Sequence, residues 1–305
     1  MPQTPFDESE RLVWAGNAAA YEAGFAKLCA HPVPRLLDAA RVGAGTRVLD
    51  AGTGTGSAAA AAGARGARVA AVDAEPDMAR RAARSVPGAR VLVAALPQLP
   101  FMDGHFDAVV GNFVLNHVGR PRAALDELRR VTRPGGRIAL TVWAAPAAPG
   151  QALLGRAVEA AGVARPPSLP TLAPEEDFPR TPDGLAGLLR GAGLAEAECV
   201  PLSWDHRTTP QEWWSGPAAG VATIGRTVLS QGPAATERIR RHFEALAREF
   251  TDDDGALVLP HTALLASGRV AGQRGAVRRR FTPGPRADPP RRRPAGSGGT
   301  SPERR

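Results

Sequence analysis

Cysteine is nearly missing from this 305-residue chain. Cys29 and Cys199 form neither a disulfide framework nor a metal-ligand spacing, so a reducing cytosol (a cytoplasmic location) is the expected compartment. Long apolar runs are missing too. No stretch reaches the roughly 18 uncharged apolar residues of a membrane helix, so a membrane is not an expected partner. The N-terminus is polar and acidic, unlike a signal peptide. His, Asp and Glu are nowhere dense enough to suggest a metal, and no internal repeat is visible. Lysine is reduced to Lys27, which leaves arginine to carry the positive charge. With the richness in Ala, Gly and Pro, this composition fits a GC-rich bacterial gene.

The formal net charge of +8 has a single origin. Residues 270–305 hold ten Arg against Asp288 and Glu303, which accounts for the whole excess and leaves the preceding chain neutral. That stretch is rich in Pro, Gly and Arg with one Phe, too little to bury a core, and is expected to be disordered. It lacks the aromatic interleaving of a base-stacking arm, so nucleic acid is not an expected partner.

The remaining chain is apolar enough to fold, at 43% hydrophobic residues overall. Its centre is the stretch Thr46 to Ser57. Val48 and Leu49 belong to a short buried strand, followed by Gly52, Gly54 and Gly56 and then an alanine-rich helix from about Thr55 to Ala64. Glycines at every second position allow a tight turn against which a ligand can lie. The following helix aims its free N–H groups at that ligand. A second strand, Ala67 to Asp73, ends in an acid 21 residues after Gly52. That matches the spacing of about 20 at which a strand-end carboxylate holds a ribose diol. Together these point to an adenosine-containing ligand. A dinucleotide turn would want glycine where Ser57 stands, which weighs against a nicotinamide-dependent reductase.

The order Asp50-x-Gly52-x-Gly54-x-Gly56 resembles the first motif of class I S-adenosylmethionine-dependent methyltransferases, L-D-x-G-x-G-x-G. Pro100 to Val109 resembles that family's L-P-F-x-D-x-x-F-D stretch. Leu115-Asn116-His117-Val118 resembles the segment after its fourth strand. Arg129 to Gly136 resembles its R-V-L-R-P-G-G turn, with Thr132 in the leucine position. The resemblance spans residues 46–143. It implies a Rossmann-like, seven-stranded, mostly parallel α/β sheet with an antiparallel last strand, S-adenosyl-L-methionine as cofactor, and a small-molecule methyl acceptor. A noncatalytic binder that keeps the fold as a scaffold is the alternative of a different class. A homodimer is compatible with the resemblance.

The same resemblance assigns the candidate site. Asp50, Gly52, Thr53, Gly54 and Gly56 form the cofactor loop, Asp73 and Ala74 the ribose contact, and Met78 an apolar contact near adenine. Asn112 and Phe113 stand where the backbone holds the methionine amino group. The family commonly places Gly-Asp after its third strand, the Asp accepting the adenine amino group; Ala94 and Ala95 stand there in this chain. That leaves the backbone around Ala95 and Leu96 to reach the ring, at a cost of about 1–3 kcal/mol for the lost charged hydrogen bond. His117 is the first candidate for a general base and His206 the second, with a structural role for His117 also open.

Residues 1–45 are expected to form a helical lid. Trp14, Asn17 and Tyr21 lie at helical spacings, and Trp14 and Tyr21 either face the cofactor or only pack. Residues 46–269 are expected to form the methyltransferase domain and 270–305 the tail. A cap insertion around 206–254 should hold two helices, near 220–230 and 234–250. Trp213, Trp214, Phe178 and His206 are pocket candidates or cap core. Strand six is expected over 198–205 and strand seven over 256–267.

Overall fold

The computed structural model describes residues 3–272. Four short helices come first: α1 (Pro5–Trp14), α2 (Ala18–Ala23), α3 (Phe25–Ala30) and α4 (Val33–Ala39). Strands and helices then alternate as β1 (Arg47–Ala51), α5 (Ser57–Ala64), β2 (Arg68–Asp73), α6 (Pro76–Ser85) and β3 (Arg90–Val93). They continue with β4 (Phe106–Asn112), a 3-10 turn over Val114–His117, α7 (Pro121–Val131) and β5 (Thr132–Trp143). The second half holds α8 (Pro149–Ala160), α9 (Pro182–Gly191), β6 (Leu194–Thr208), α10 (Pro210–Ala218), α11 (Ala222–Leu229), α12 (Pro233–Ala247) and β7 (Leu257–Val270). The stretch expected to be a disordered tail lies, from residue 273 on, outside the described residues.

The seven strands form one sheet in the order β3-β2-β1-β4-β5-β7-β6. All neighbours are parallel except at β7, which runs antiparallel to both β5 and β6. This is the Rossmann-like sheet with its antiparallel last strand. The order reverses between β1 and β4, and at such a switch the connections diverge to opposite sides and leave a crevice beyond the carboxyl ends of the strands.

Side chains alternate across the strands, so each residue pair feeds two cores. Leu49, Val109, Ile138 and Leu140 pack with Leu125 and Leu128 of α7 and Leu185 and Leu189 of α9. Their neighbours Val48, Val110 and Ala139 pack with Leu36 and Leu37 of α4 and the alanines of α5. A third cluster belongs to the cap: Leu153 and Ala157 of α8, Trp213 of α10, Val228 of α11, and Ile239 and Phe243 of α12, on Leu257 and Leu259 of β7.

Three features differ from the sequence expectation. Trp14, Asn17 and Tyr21 do not share one helix: α1 ends at Trp14 and α2 begins at Ala18. Gly16 between them takes φ +74°, and the Asn17 Nδ2 donates to the Val13 carbonyl at 2.7 Å and the Gly220 carbonyl at 3.1 Å, closing α1 and tying it to the cap. Second, β5 begins at Thr132, inside the stretch Arg129 to Gly136 that the resemblance reads as a turn. It absorbs the Pro134-Gly135-Gly136 turn through a register shift against β4. Third, the stretch 206–254 holds three helices. The extra one, α10, starts at Thr209, whose hydroxyl accepts from the Glu212 amide at 3.1 Å, with Pro210 at its first position. Threonine followed three residues later by glutamate is a helix-start signal.

Candidate active site

Three glycines after β1 bend the chain with positive φ: Gly52 at +72°, Gly54 at +56° and Gly56 at +97°. Their roles differ. A Cβ on Gly52 would lie 2.8 Å from Cβ of Val114, so this glycine lets the loop approach the turn after β4. A Cβ on Gly54 would come within 3.4 Å of the Tyr21 ring. A Cβ on Gly56 would meet Cα of Ala82 at 3.1 Å, so Gly56 serves the packing of α5 on α6. Gly52 and Gly54 line the cleft, while Asp50, Thr53 and Gly56 lie beneath the loop. Thr53 Oγ1 donates to Asp50 Oδ2 at 2.7 Å, and Oδ1 is buried without a partner. Burial pushes the Asp50 carboxyl up to about 6, although the Thr53 hydroxyl and the nearby Ala59 amide pull it down.

Asp73, at the end of β2, is gripped by main chain. Oδ2 accepts from the Gly54 amide at 2.8 Å and Oδ1 from the Glu75 amide at 2.9 Å. Each oxygen keeps a second lone pair, the acceptor set a ribose diol needs. Burial raises this carboxyl to about 6 as well; the two amides and the His117 ring oppose the rise. Ala74, Met78, Ala95 and Leu96 continue the same wall. Gln98, which the sequence reading did not single out, joins them there.

At the next strand edge, both ends of the Asn112 side chain carry a hydrogen bond. Its Oδ1 accepts from Thr141 Oγ1 and its Nδ2 donates to the Cys29 carbonyl, both at 2.7 Å, which anchors the lid to β4. Phe113 follows at φ +62°, its amide held by Thr141 Oγ1 at 2.9 Å. From the lid, Tyr21 lies over Gly54 with Trp14 edge-on at 5.5 Å. Burial lifts the Tyr21 phenol well above its ordinary range, with Cys29, Asp73 and Asp50 adding to the effect.

His117 also lines the cleft, on the Asp73 side. Its Nδ1 donates to Glu10 Oε2 at 2.8 Å, and the same oxygen accepts from Trp14 Nε1 at 3.1 Å. One buried lid carboxylate therefore joins α1 to the turn after β4. Next to it, Asp7 accepts from the Gly119 amide at 2.7 Å.

A single cavity of about 980 Å³ runs from Asp73, Gly54 and Asn112 to an aromatic chamber under the cap. Phe113 stacks on Trp143 with ring centroids 4.1 Å apart, and Phe25 meets Trp213 edge-on at 5.3 Å. Of the four pocket candidates in the second half, Trp213 alone reaches this chamber. Phe178 is buried in the core under α9, Trp214 stacks on Phe243, and His206 points its Nδ1 at His31 Nε2, 3.3 Å away. The histidine that does line the chamber is His261 of β7, which the sequence reading missed. Pro260-His261 sits in a run of apolar β-residues with no motif around it. The pairing Trp204↔His261 and the contacts with Trp143 at 5.9 Å and Trp213 at 5.6 Å place it at the cleft. Among the described residues no helix is long and apolar enough to cross a membrane, and no three metal-ligating side chains converge.

The model of the methyltransferase domain matches residues 49–140 of this chain. A demethylmenaquinone methyltransferase from Clavibacter sepedonicus is 34% identical over 209 residues, covering 64% of this chain and 78% of that protein. A protein of the same name from Beutenbergia cavernae is 39% identical over 120 residues, covering 39% of this chain and 50% of its own length. Among solved structures, the YcgJ protein of Bacillus subtilis matches with a TM-score of 0.52 at 21% identity, covering 79% of this chain and 98% of that one. At that identity the likeness speaks for the fold.

Proposed function

The chain belongs to the class I S-adenosylmethionine-dependent methyltransferases, and on that premise we propose that it methylates a flat, largely apolar small molecule. The observation that carries this reading is the continuity of the cleft from the Asp73–Gly54 end to the aromatic chamber of Trp143, Trp213 and Phe25.

The residues present fit the cofactor. Asp73 offers the free lone pairs for a ribose diol, Gly52 and Gly54 leave the main chain bare, and Met78, Ala95 and Leu96 supply an apolar adenine wall. The Gln98 amide stands in for the carboxylate that Ala95 lacks, since it can both accept from and donate to an adenine edge. When bound, S-adenosylmethionine supplies a methyl group already activated on sulfonium. The protein's part is placement: the chamber walls hold the acceptor in line and the lid keeps water out. His117 acts here as the latch of that lid, since its bond to Glu10 ties α1 to the turn after β4.

The relatives named above act, by their names, on demethylmenaquinone. A quinone-like ring is the acceptor shape that a chamber of stacked and edge-on aromatics favours. Calorimetric titration with S-adenosylmethionine, followed by radiolabelled methyl transfer to naphthoquinols and phenols, tests the reading. Micromolar cofactor binding with transfer supports it. Binding without transfer to any acceptor points to the scaffold, and no binding overturns the assignment.

A further inference from the structure

Resting on the reading just given, we propose that His261 is the general base of the reaction, taking the proton of an acidic aromatic hydroxyl on the acceptor.

The chamber wall is assembled from consecutive strand edges. Asn112 and Phe113 end β4, Trp143 ends β5, and the antiparallel β7 brings His261 to the same edge, since Trp143 pairs with Ala263. His261 Nδ1 lies 2.8 Å from the Leu259 carbonyl, which accepts only from an N–H. That bond places the proton on Nδ1 and leaves Nε2 as a lone pair. The ring is 2% exposed, lines the cleft, and has Trp143 at 5.9 Å and Trp213 at 5.6 Å around it. Burial presses His261 down to about 4, so the imidazole stays neutral across the physiological range. Such a weak base draws a proton only from an acidic hydroxyl, in concert with methyl transfer.

The step balances as an O-methylation. The acceptor O–H bond breaks with its proton passing to Nε2, and an O–CH3 bond forms. The C–S bond of the methyl sulfonium breaks with its electron pair remaining on sulfur, leaving a neutral thioether and an imidazolium. The titratable groups facing that imidazolium are His206 and Asp205 of β6 and His31 beyond α3; Glu212 and Lys27 act on His206 one ring farther out. Asp205 favours the protonated ring and His31 opposes it.

The test uses the full chain and 4-nitrocatechol, which carries an acidic aromatic hydroxyl. His261→Gln keeps a hydrogen-bond acceptor but cannot take the proton. Calorimetry with S-adenosylmethionine and the melting temperature serve as controls for fold and cofactor site. The expected result is wild-type binding of 4-nitrocatechol without cofactor, read by quenching of tryptophan fluorescence. In His261→Gln that binding should persist, kcat for methyl transfer should fall about 100-fold or more, and KM should stay within about threefold. The acid limb of the kcat profile should vanish. If wild type does not bind S-adenosylmethionine, the methyltransferase reading itself fails. If it binds the cofactor but not 4-nitrocatechol, or if kcat and the pH profile of His261→Gln equal those of wild type, the proposal for His261 is overturned.

Discussion

Two carboxylates in this site, Asp50 and Asp73, stand at about 6, above the 3.8 of a free aspartate, because burial penalises their charge. The folded chain thus holds protons that the unfolded chain has released between about pH 4 and 6. Their contribution to stability is most favourable below that window and is lost as pH rises through it. Cofactor binding should run the other way, since a ribose diol donates to the ionised form of Asp73. We expect S-adenosylmethionine affinity to fall as pH drops below 6, measured by calorimetry across pH 5 to 8. Asp73→Ala should weaken binding tenfold or more, about 1.4 kcal/mol, and an unchanged Kd would remove Asp73 from the ribose role. Gly52→Ala should be worse than a simple loss of contact. Its Cβ would crowd Val114 at a φ of +72°, where a side chain already costs about 1–2 kcal/mol. A lowered melting temperature together with lost cofactor binding is the expected outcome.

At the scale of elements, the N-terminal helices are tied to the strand ends by side chains. Glu10 joins Trp14 to His117, and the Asn112–Cys29 bond joins α3 to the end of β4. Glu10→Ala leaves two donors unpaired at the hinge of α1. The expected consequences are faster proteolytic cleavage within residues 5–17 and a faster off-rate of S-adenosylmethionine, read by stopped-flow fluorescence, with the melting temperature of the sheet domain little changed. If the off-rate does not move, α1 is packing and no latch. The cap has its own weak point in the Thr209 hydroxyl that starts α10. Thr209→Ala should cost about 1 kcal/mol, visible in chemical denaturation, because α10 carries Trp213 into the chamber.

At the scale of the whole molecule, charge and fold are separate matters. Residues 273–305 carry the entire formal +8, so a chain ending at Gly272 should focus near neutral pH instead of at about 11.0. Isoelectric focusing of the shortened chain checks this directly. The cleft, by contrast, is a property of the sheet: residues in or just after β2, β1, β4, β5 and β7 all line it.

What the amino-acid order determined alone was everything built from neighbours in the chain. The glycine turn, the acid closing β2, and the helices with Thr or Pro at their start rest on local backbone preferences, and they appear within a few residues of where the pattern puts them. The chain also showed its own departure at Ala95. Tertiary structure decided what depends on distant partners. Gly16 splits the lid because Asn17 reaches Gly220. Gly56 serves helix packing because Ala82 lies against it. His206 turns toward His31, whereas His261 reaches the cleft, because pairing in an antiparallel edge assigns each side chain its face. Sequence spacing reports which residues share an element; which histidine of β6 and β7 lines the cleft depends on strand register, and register is set by contacts across the sheet.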